Sequence, residues 1–181
     1  MSKQININRN AQGRVVFDVI SVEVSDDVFW QNNDTQPHWP VPWCSGLRMD
    51  PSKPSNVFQA YPSGSPTLPQ TVVYGCAMPG HGAEQGVIYV YNDFSIASSQ
   101  IAGEAGQAAT VAVARGGKSP YAISATGLPN WVSLAETAPV DSSAGISATL
   151  TNPPAGDFAF TLNTTDALGK NIQQQITISI T

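Results

Sequence analysis

Eight prolines fall between residues 37 and 69, at positions 37, 40, 42, 51, 54, 62, 66 and 69. Proline lacks the backbone N–H that a helix interior or a central strand requires. The stretch is therefore expected to be a long loop region with one edge strand at most, and any short helix should fall within 44–69. The whole chain of 181 residues carries 15 Gly and 14 Pro with only 12% charged residues. That composition excludes coiled coils and helical bundles, which are rich in Glu, Lys, Leu and Ala. Lys and Arg number 8 against 13 Asp and Glu, a net charge of −5. Nucleic-acid binding, which needs concentrated cations, is not expected. No apolar run approaches the roughly 18–20 residues of a membrane helix. Met1–Ile5 lacks the apolar segment of a signal peptide, so the chain is either cytosolic or an exported protein given without its leader. What remains is an all-β protein, long enough for one large domain or two small ones.

Strands are legible from β-branched residues and alternation. In the first half they are expected at Val15–Ile20, Val22–Val24, Val28–Asn32, Gln70–Tyr74 and Val87–Tyr91. Asp26-Asp27 and Asn33-Asp34 supply turns. Residues 95–106 are small and mostly polar, a linker that sets a boundary between 92 and 106 and domains at 1–95 and 96–181. The second half alternates at Thr110–Val113, Tyr121–Ser124, Ile146–Leu150, Phe158–Leu162 and Gln175–Ile180. Gly116-Gly117, Pro153-Pro154 and Ala167-Leu168-Gly169 separate these runs, the spacing of an antiparallel sandwich.

The chemistry-bearing residues are few and all lie in the first half. There are two histidines, His38 and His81, and two cysteines, Cys44 and Cys76. The cysteines admit a disulfide, or one ligand and one free thiol, and composition does not choose. Cys76-x4-His81 in a loop between two strands is a poor structural-zinc signature, since such sites use four ligands and CxxC pairs. It suits copper better. Two imidazoles and a thiolate with one weak axial Met or Gln make a trigonal blue-copper set.

The segment Cys76-Ala77-Met78-Pro79-Gly80-His81-Gly82-Ala83-Glu84-Gln85 resembles the ligand loop of cupredoxins. Val28–His38, with its Asn32-Asn33-Asp34 turn, is similar to that family's strand leading to the first histidine. Gly86-Val87-Ile88-Tyr89-Val90 is similar to its terminal strand, and the resemblance covers about residues 12–92. It implies a Greek-key sandwich with His38, Cys76 and His81 as equatorial copper ligands. Azurin-like spacing then puts Gln85 at the axial position, where an amide oxygen favours Cu(II) and lowers the potential. Glu84 takes that place if the loop is shifted. The family's Asn after the first His is here Trp39, so the clamp between ligand loops is missing or replaced by Asn32 or Asn33. The strand before His38 is expected beside the Cys76 strand. Met78, Pro79, Gly80, Trp39, Pro40 and Trp43 are expected around the edge of His81, either as loop residues capping the core end or as an apolar patch where a redox partner docks. Cys44 is expected to be shielded.

Leu128-Pro129-Asn130-Trp131-Val132, Gly145–Leu150, Gly156–Phe160 and Thr165–Gly169 resemble, in order, the motifs of bacterial surface Ig-like, cadherin-related modules. That likeness implies an Ig-like sandwich over about 100–181, with Trp131 as core anchor. Asp157 and Asp166 cap turns in this reading, with calcium binding the less favoured alternative.

The expectation is therefore two antiparallel β-sandwiches, a copper-binding cupredoxin-like domain and an Ig-like spacer. It is not an enzyme and has no catalytic residues. It carries one electron between Cu(II) and Cu(I), has a redox protein as partner, and is periplasmic or at the cell surface. The alternatives are a metal-free or disulfide-bonded structural or adhesion protein, and a copper carrier.

Overall fold

The computed structural model describes residues 2–44, 47–61, 67–98, 101–102, 108–136 and 143–180. All regular structure among them is β, with no helix, including in the described parts of 44–69. The chain divides into two compact units, Met1–Asn92 and Asp93–Thr181. The expected linker falls partly outside the described residues, at 99–100 and 103–107.

Unit 1 holds β1 (Ser2–Arg9), β2 (Val15–Phe17), β3 (Ile20–Glu23), β4 (Asp27–Asn32), β5 (Pro40–Val41), β6 (Phe58–Gln59), β7 (Gln70–Cys76) and β8 (Gln85–Tyr91). They form two four-stranded sheets, ordered β2-β1-β4-β6 and β3-β8-β7-β5. Both proline-region strands are two residues long and sit at sheet edges, where a missing N–H costs little. Two pairings run parallel, β1 with β4 and β3 with β8. Alternation reveals a strand but not its direction, so the parallel pairs were not expected.

Strand β1 was also not expected. Its sequence is polar at every second position, but Ile5 and Ile7 are fully buried, opposite Trp30 and Asn32 of β4. Each such isleucine contributes roughly 1.5–3 kcal/mol through burial. The core lies between the sheets and is centred on Trp30, whose ring meets Trp43 at 5.2 Å and Tyr74 at 5.6 Å. Its indole N–H donates to the Tyr74 hydroxyl at 2.9 Å, so burial leaves neither polar atom unpaired. Trp43 is thus a core residue rather than part of a surface around His81. Its place follows from its apolar area, and its own N–H donates to the Gln59 carbonyl at 3.0 Å.

Unit 2 holds β9 (Ser95–Ser98), β10 (Ile101–Ala102), β11 (Ala108–Arg115), β12 (Ala122–Thr126), β13 (Val132–Glu136), β14 (Ser143–Leu150), β15 (Gly156–Thr165) and β16 (Asn171–Ile180). Its sheets are ordered β13-β14-β11-β9 and β10-β16-β15-β12. All pairings in this unit are antiparallel except β10 with β16. Val111, Ile146, Leu150, Leu162, Ile176 and Ile178 fill the core. Trp131 lies at its margin, half-buried and edge-on to Phe158 at 4.9 Å, so the aliphatic strand residues are the true anchor. Asp166 is a buried turn cap. It accepts from the backbone N–H groups of Lys118, Leu168 and Lys170, while Asp157 is exposed within β15.

Candidate metal centre

Local chain geometry brings the candidate ligand residues of unit 1 together from two directions. His38 is pinned by paired backbone hydrogen bonds to Met49, at 3.0 and 2.9 Å. Immediately after it, β5 lies on β7 with Pro40 opposite Cys76, and the Ala77 N–H donates to the Trp39 carbonyl at 2.9 Å. The segment after His38, not β4 before it, therefore neighbours the Cys76 strand. β4 is committed to β1 in the other sheet, and the chain crosses between sheets on its way to His38.

Beyond Cys76 the chain doubles back through tight turns. Met78-Pro79-Gly80-His81 closes with the His81 N–H donating to the Met78 carbonyl at 3.0 Å, and Gly80 has φ +87°. Proline then glycine at the two central positions is the preference of a type II turn, whose third residue needs positive φ. The Glu84 N–H donates to the His81 carbonyl, and the Cys76 N–H to the Glu84 carbonyl at 3.2 Å. Cys76, His81 and Glu84 are thereby turned toward one point.

His38, Cys76, His81 and Glu84 each offer one donor atom, and the four atoms lie within 4.8 Å of one another. Cys76 Sγ stands 3.8 Å from His38 Nδ1 and 3.6 Å from His81 Nδ1. Glu84 Oε2 is 3.0 Å from each of the same nitrogens. Atoms bonded to a common ion at roughly 2.0–2.3 Å are spaced at about 3.0–3.8 Å from each other. The residues present therefore fit a single ion held by one thiolate, two imidazoles and one carboxylate. Gln85 follows Glu84 directly. It is exposed at the start of β8, opposite Gly75, because strand alternation turns Gly86 and Ile88 inward and Gln85 outward. Both cysteines are free thiols, and Cys44 is fully buried away from the cluster.

Burial raises the Cys76 thiol above its ordinary pKa and the Glu84 carboxylate adds to this, against backbone N–H groups of Met78 and Trp39. The Trp39 N–H donates to the sulfur at 3.2 Å, so the clamp expected to be missing or replaced is replaced by this backbone, not by Asn32 or Asn33. Asn32 instead braces its own loop, donating to the Gln36 and Met49 carbonyls, and Asn33 donates to Asn6 and Asn8. His38 Nε2 meets Asp34 Oδ2 at 2.9 Å. Burial would raise the Asp34 pKa, but hydrogen bonds from Arg9, His38 and the Thr35 N–H outweigh it and hold it at about 2. Sequence reading missed both Asp34, which it took for a turn residue, and Arg9. On the solvent side a cavity of about 460 Å³ is lined by Arg9, Arg14, Gly80, His81, Ala83 and Glu84.

No protein-family model matches the chain, and no curated protein matches it. Solved structures do. A protocadherin gamma B7 structure of extracellular cadherin domains 1–4 aligns over 61% of this chain and 31% of its own, at 15% identity and TM-score 0.40. Mouse clustered PcdhgC3 EC1-3 aligns over 61% and 42%, at 14% identity and TM-score 0.42. An endo-fucoidan hydrolase of glycoside hydrolase family 107 aligns over 63% and 19%, at 15% identity and TM-score 0.33. The chain thus spans less than half the length of these structures. The all-β architecture rests on the strands themselves.

Proposed function

We propose that unit 1 is a cupredoxin-like module that holds one copper ion and carries single electrons, with unit 2 as an Ig-like spacer. The observation that supports this is the convergence of His38 Nδ1, Cys76 Sγ, His81 Nδ1 and Glu84 Oε2. A copper ion bound there would supply one-electron chemistry between Cu(II) and Cu(I). The thiolate and imidazoles suit both states, whereas the carboxylate is a hard donor that favours Cu(II). Glu84 therefore takes the role that spacing had assigned to Gln85.

The chain's own residues hold the donors in place and limit water. His38 is fully buried, Cys76 is nearly so, and only His81 and Glu84 reach the cavity wall. An electron would enter or leave by that exposed edge of His81, where a redox partner would dock. No acid–base pair or nucleophile is needed, and no bond chemistry is assigned. Export to the periplasm or cell surface belongs to the same proposal. No helix among the described residues is long and apolar enough to cross a membrane.

A structural or adhesive pair of β-sandwiches is the second reading, favoured by unit 2, where the buried acidic cap Asp166 is taken up by backbone N–H groups. A copper carrier is the third. Titration of the purified chain with Cu(II) separates them. An intense visible band that is lost in Cys76→Ala, with reversible reduction, supports electron transfer. A band without reversible reduction supports a carrier. Absence of copper binding favours the structural reading. The same donors accept Zn(II), which gives no visible band, so metal content is measured alongside.

A further inference from the structure

Asp34 is the most completely enclosed charged group beside the metal centre. Its side chain has no exposed area, and both oxygens are engaged. Oδ1 accepts from Arg9 Nε at 2.5 Å and from the Thr35 N–H at 2.7 Å. Oδ2 accepts from Arg9 Nη2 at 3.0 Å and contacts His38 Nε2 at 2.9 Å. The Arg9 fork is bidentate, which fixes the carboxylate plane as well as neutralising its charge. Arg9 in turn donates from Nη1 to the Gly13 carbonyl at 2.7 Å, so the guanidinium is itself held.

We infer that Arg9 and Asp34 form a positioning pair for the metal centre, fixing His38 so that its Nδ1 faces the ion. With Glu84 Oε2 3.0 Å from Nδ1, on the side where a shared ion would lie, the Asp34 carboxylate at Nε2 favours the proton there and leaves the Nδ1 lone pair for that ion. It also makes the imidazole a stronger donor. The ring has little other freedom, with Phe17 edge-on at 6.1 Å on one side and Cys76 Sγ 3.8 Å from Nδ1. Arg9 prevents the buried carboxylate from competing as an ion partner itself, since both its oxygens are already taken. The pair joins the β2-β1-β4-β6 sheet to the centre, because Arg9 ends β1 while Asp34 and His38 lie in the crossing between sheets.

This inference rests on the metal-binding reading, and the test separates the two. Full-length wild type, Asp34→Asn, Arg9→Gln and Cys76→Ala are compared by Cu(II) competition with a chelator and by absorption spectra. Long-range 1H–15N spectra of the metal-free chain report the His38 ring protons. The expected result is a proton on Nε2 in wild type, a 10–100-fold loss of Cu(II) affinity with a shifted band in Asp34→Asn, and a smaller loss in Arg9→Gln. Where Asp34→Asn does not fold, Arg9→Gln carries the comparison. Affinity within twofold of wild type and an unchanged band in the folded variant overturn the positioning role, as does a bare Nε2 in wild type. Failure of wild type to bind Cu(II), or undiminished binding by Cys76→Ala, instead overturns the metal reading and the inference with it.

Discussion

The backbone N–H of Trp39 points at the Cys76 sulfur from 3.2 Å, joining the two segments that carry His38 and Cys76. The sulfur is thus both a prospective ligand and the acceptor that keeps a partly buried amide satisfied. Cys76→Ser keeps an acceptor and Cys76→Ala removes it. An unsatisfied buried donor costs roughly 1–3 kcal/mol. Denaturant unfolding of the metal-free chains is expected to rank wild type above Ser and Ser above Ala, by about 1 kcal/mol or more at the last step. Equal stability of the two variants would show that the N–H finds another partner.

Exchange of adjacent side chains at the end of the ligand loop reads the fourth donor. Glu84→Gln is expected to weaken Cu(II) binding by more than ~10-fold, about 1.4 kcal/mol, and to raise the reduction potential. Gln85→Met is expected to leave both unchanged, because Gln85 is exposed at the start of β8. Voltammetry of the pair decides. A potential that moves with Gln85 and not with Glu84 restores the spacing-based assignment.

At Gly86 an added Cβ would lie 2.3 Å from the ring carbon Cζ of Tyr74. Tyr74 is not free to give way, being bonded to Trp30 and packed edge-on against Phe17 at 5.5 Å. Gly86→Ala is expected to destabilise unit 1 by roughly 1–3 kcal/mol through overpacking. Gly82→Ala, where nothing lies within 4 Å, is expected to stay within about 0.5 kcal/mol of wild type. Thermal unfolding of the two variants compares them.

Alkaline stability should fall through a defined window. Burial raises Cys44 from 9.0 to about 12, against a weaker opposing hydrogen bond with Ser55. A raised folded-state value means that the neutral thiol is favoured in the fold. Its contribution is therefore complete below pH 9 and is lost as pH climbs toward 12. The slope from this one group is at most about 1.36 kcal/mol per pH unit. Urea unfolding between pH 8 and 11 is expected to show a shallower decline in Cys44→Ala than in wild type. Parallel curves would mean that Cys44 ionises in the fold as readily as out of it.

For unit 2, Asp166→Ala removes the acceptor of three backbone N–H groups. A loss on the order of 1–3 kcal/mol is expected from the turn alone. Calcium or a chelator is expected to leave the wild-type melting curve unchanged. A calcium-dependent shift would return Asp166 to the role of ligand.

Strand positions were readable where β-branched and aromatic residues run together between turn residues, as in β4 and β8. Strand β1 was not, since Ile5 and Ile7 are its only buried side chains and Lys3, Gln4, Asn6 and Asn8 disguise them. Missing β1 also hid Arg9, and with it the reason Asp34 is more than a turn residue. That His38, Cys76 and His81 belong together was legible from chemistry and spacing. Which of Glu84 and Gln85 turns toward them was not, because a one-residue difference in loop closure decides it. That closure is set by the Cys76–Glu84 backbone bond, which no residue type announces. Unit 2 showed the reverse weakness. The motif resemblance singled out Trp131, while the aliphatic residues of β11, β14 and β16 carry the core.

His38 and Cys76 are separated by most of the proline-rich region, and their donor atoms stand 3.8 Å apart. An ion bridging them would act as a reversible crosslink, closing a loop of roughly forty residues much as a disulfide does. The intervening chain has two short edge strands but few long ones to hold it. Protease cleavage within 47–61 would then serve as a meter of occupancy, slow in the loaded protein and rapid in the stripped one. The prolines that make this region poor sheet material would, on this account, make it the part of the molecule most governed by its metal.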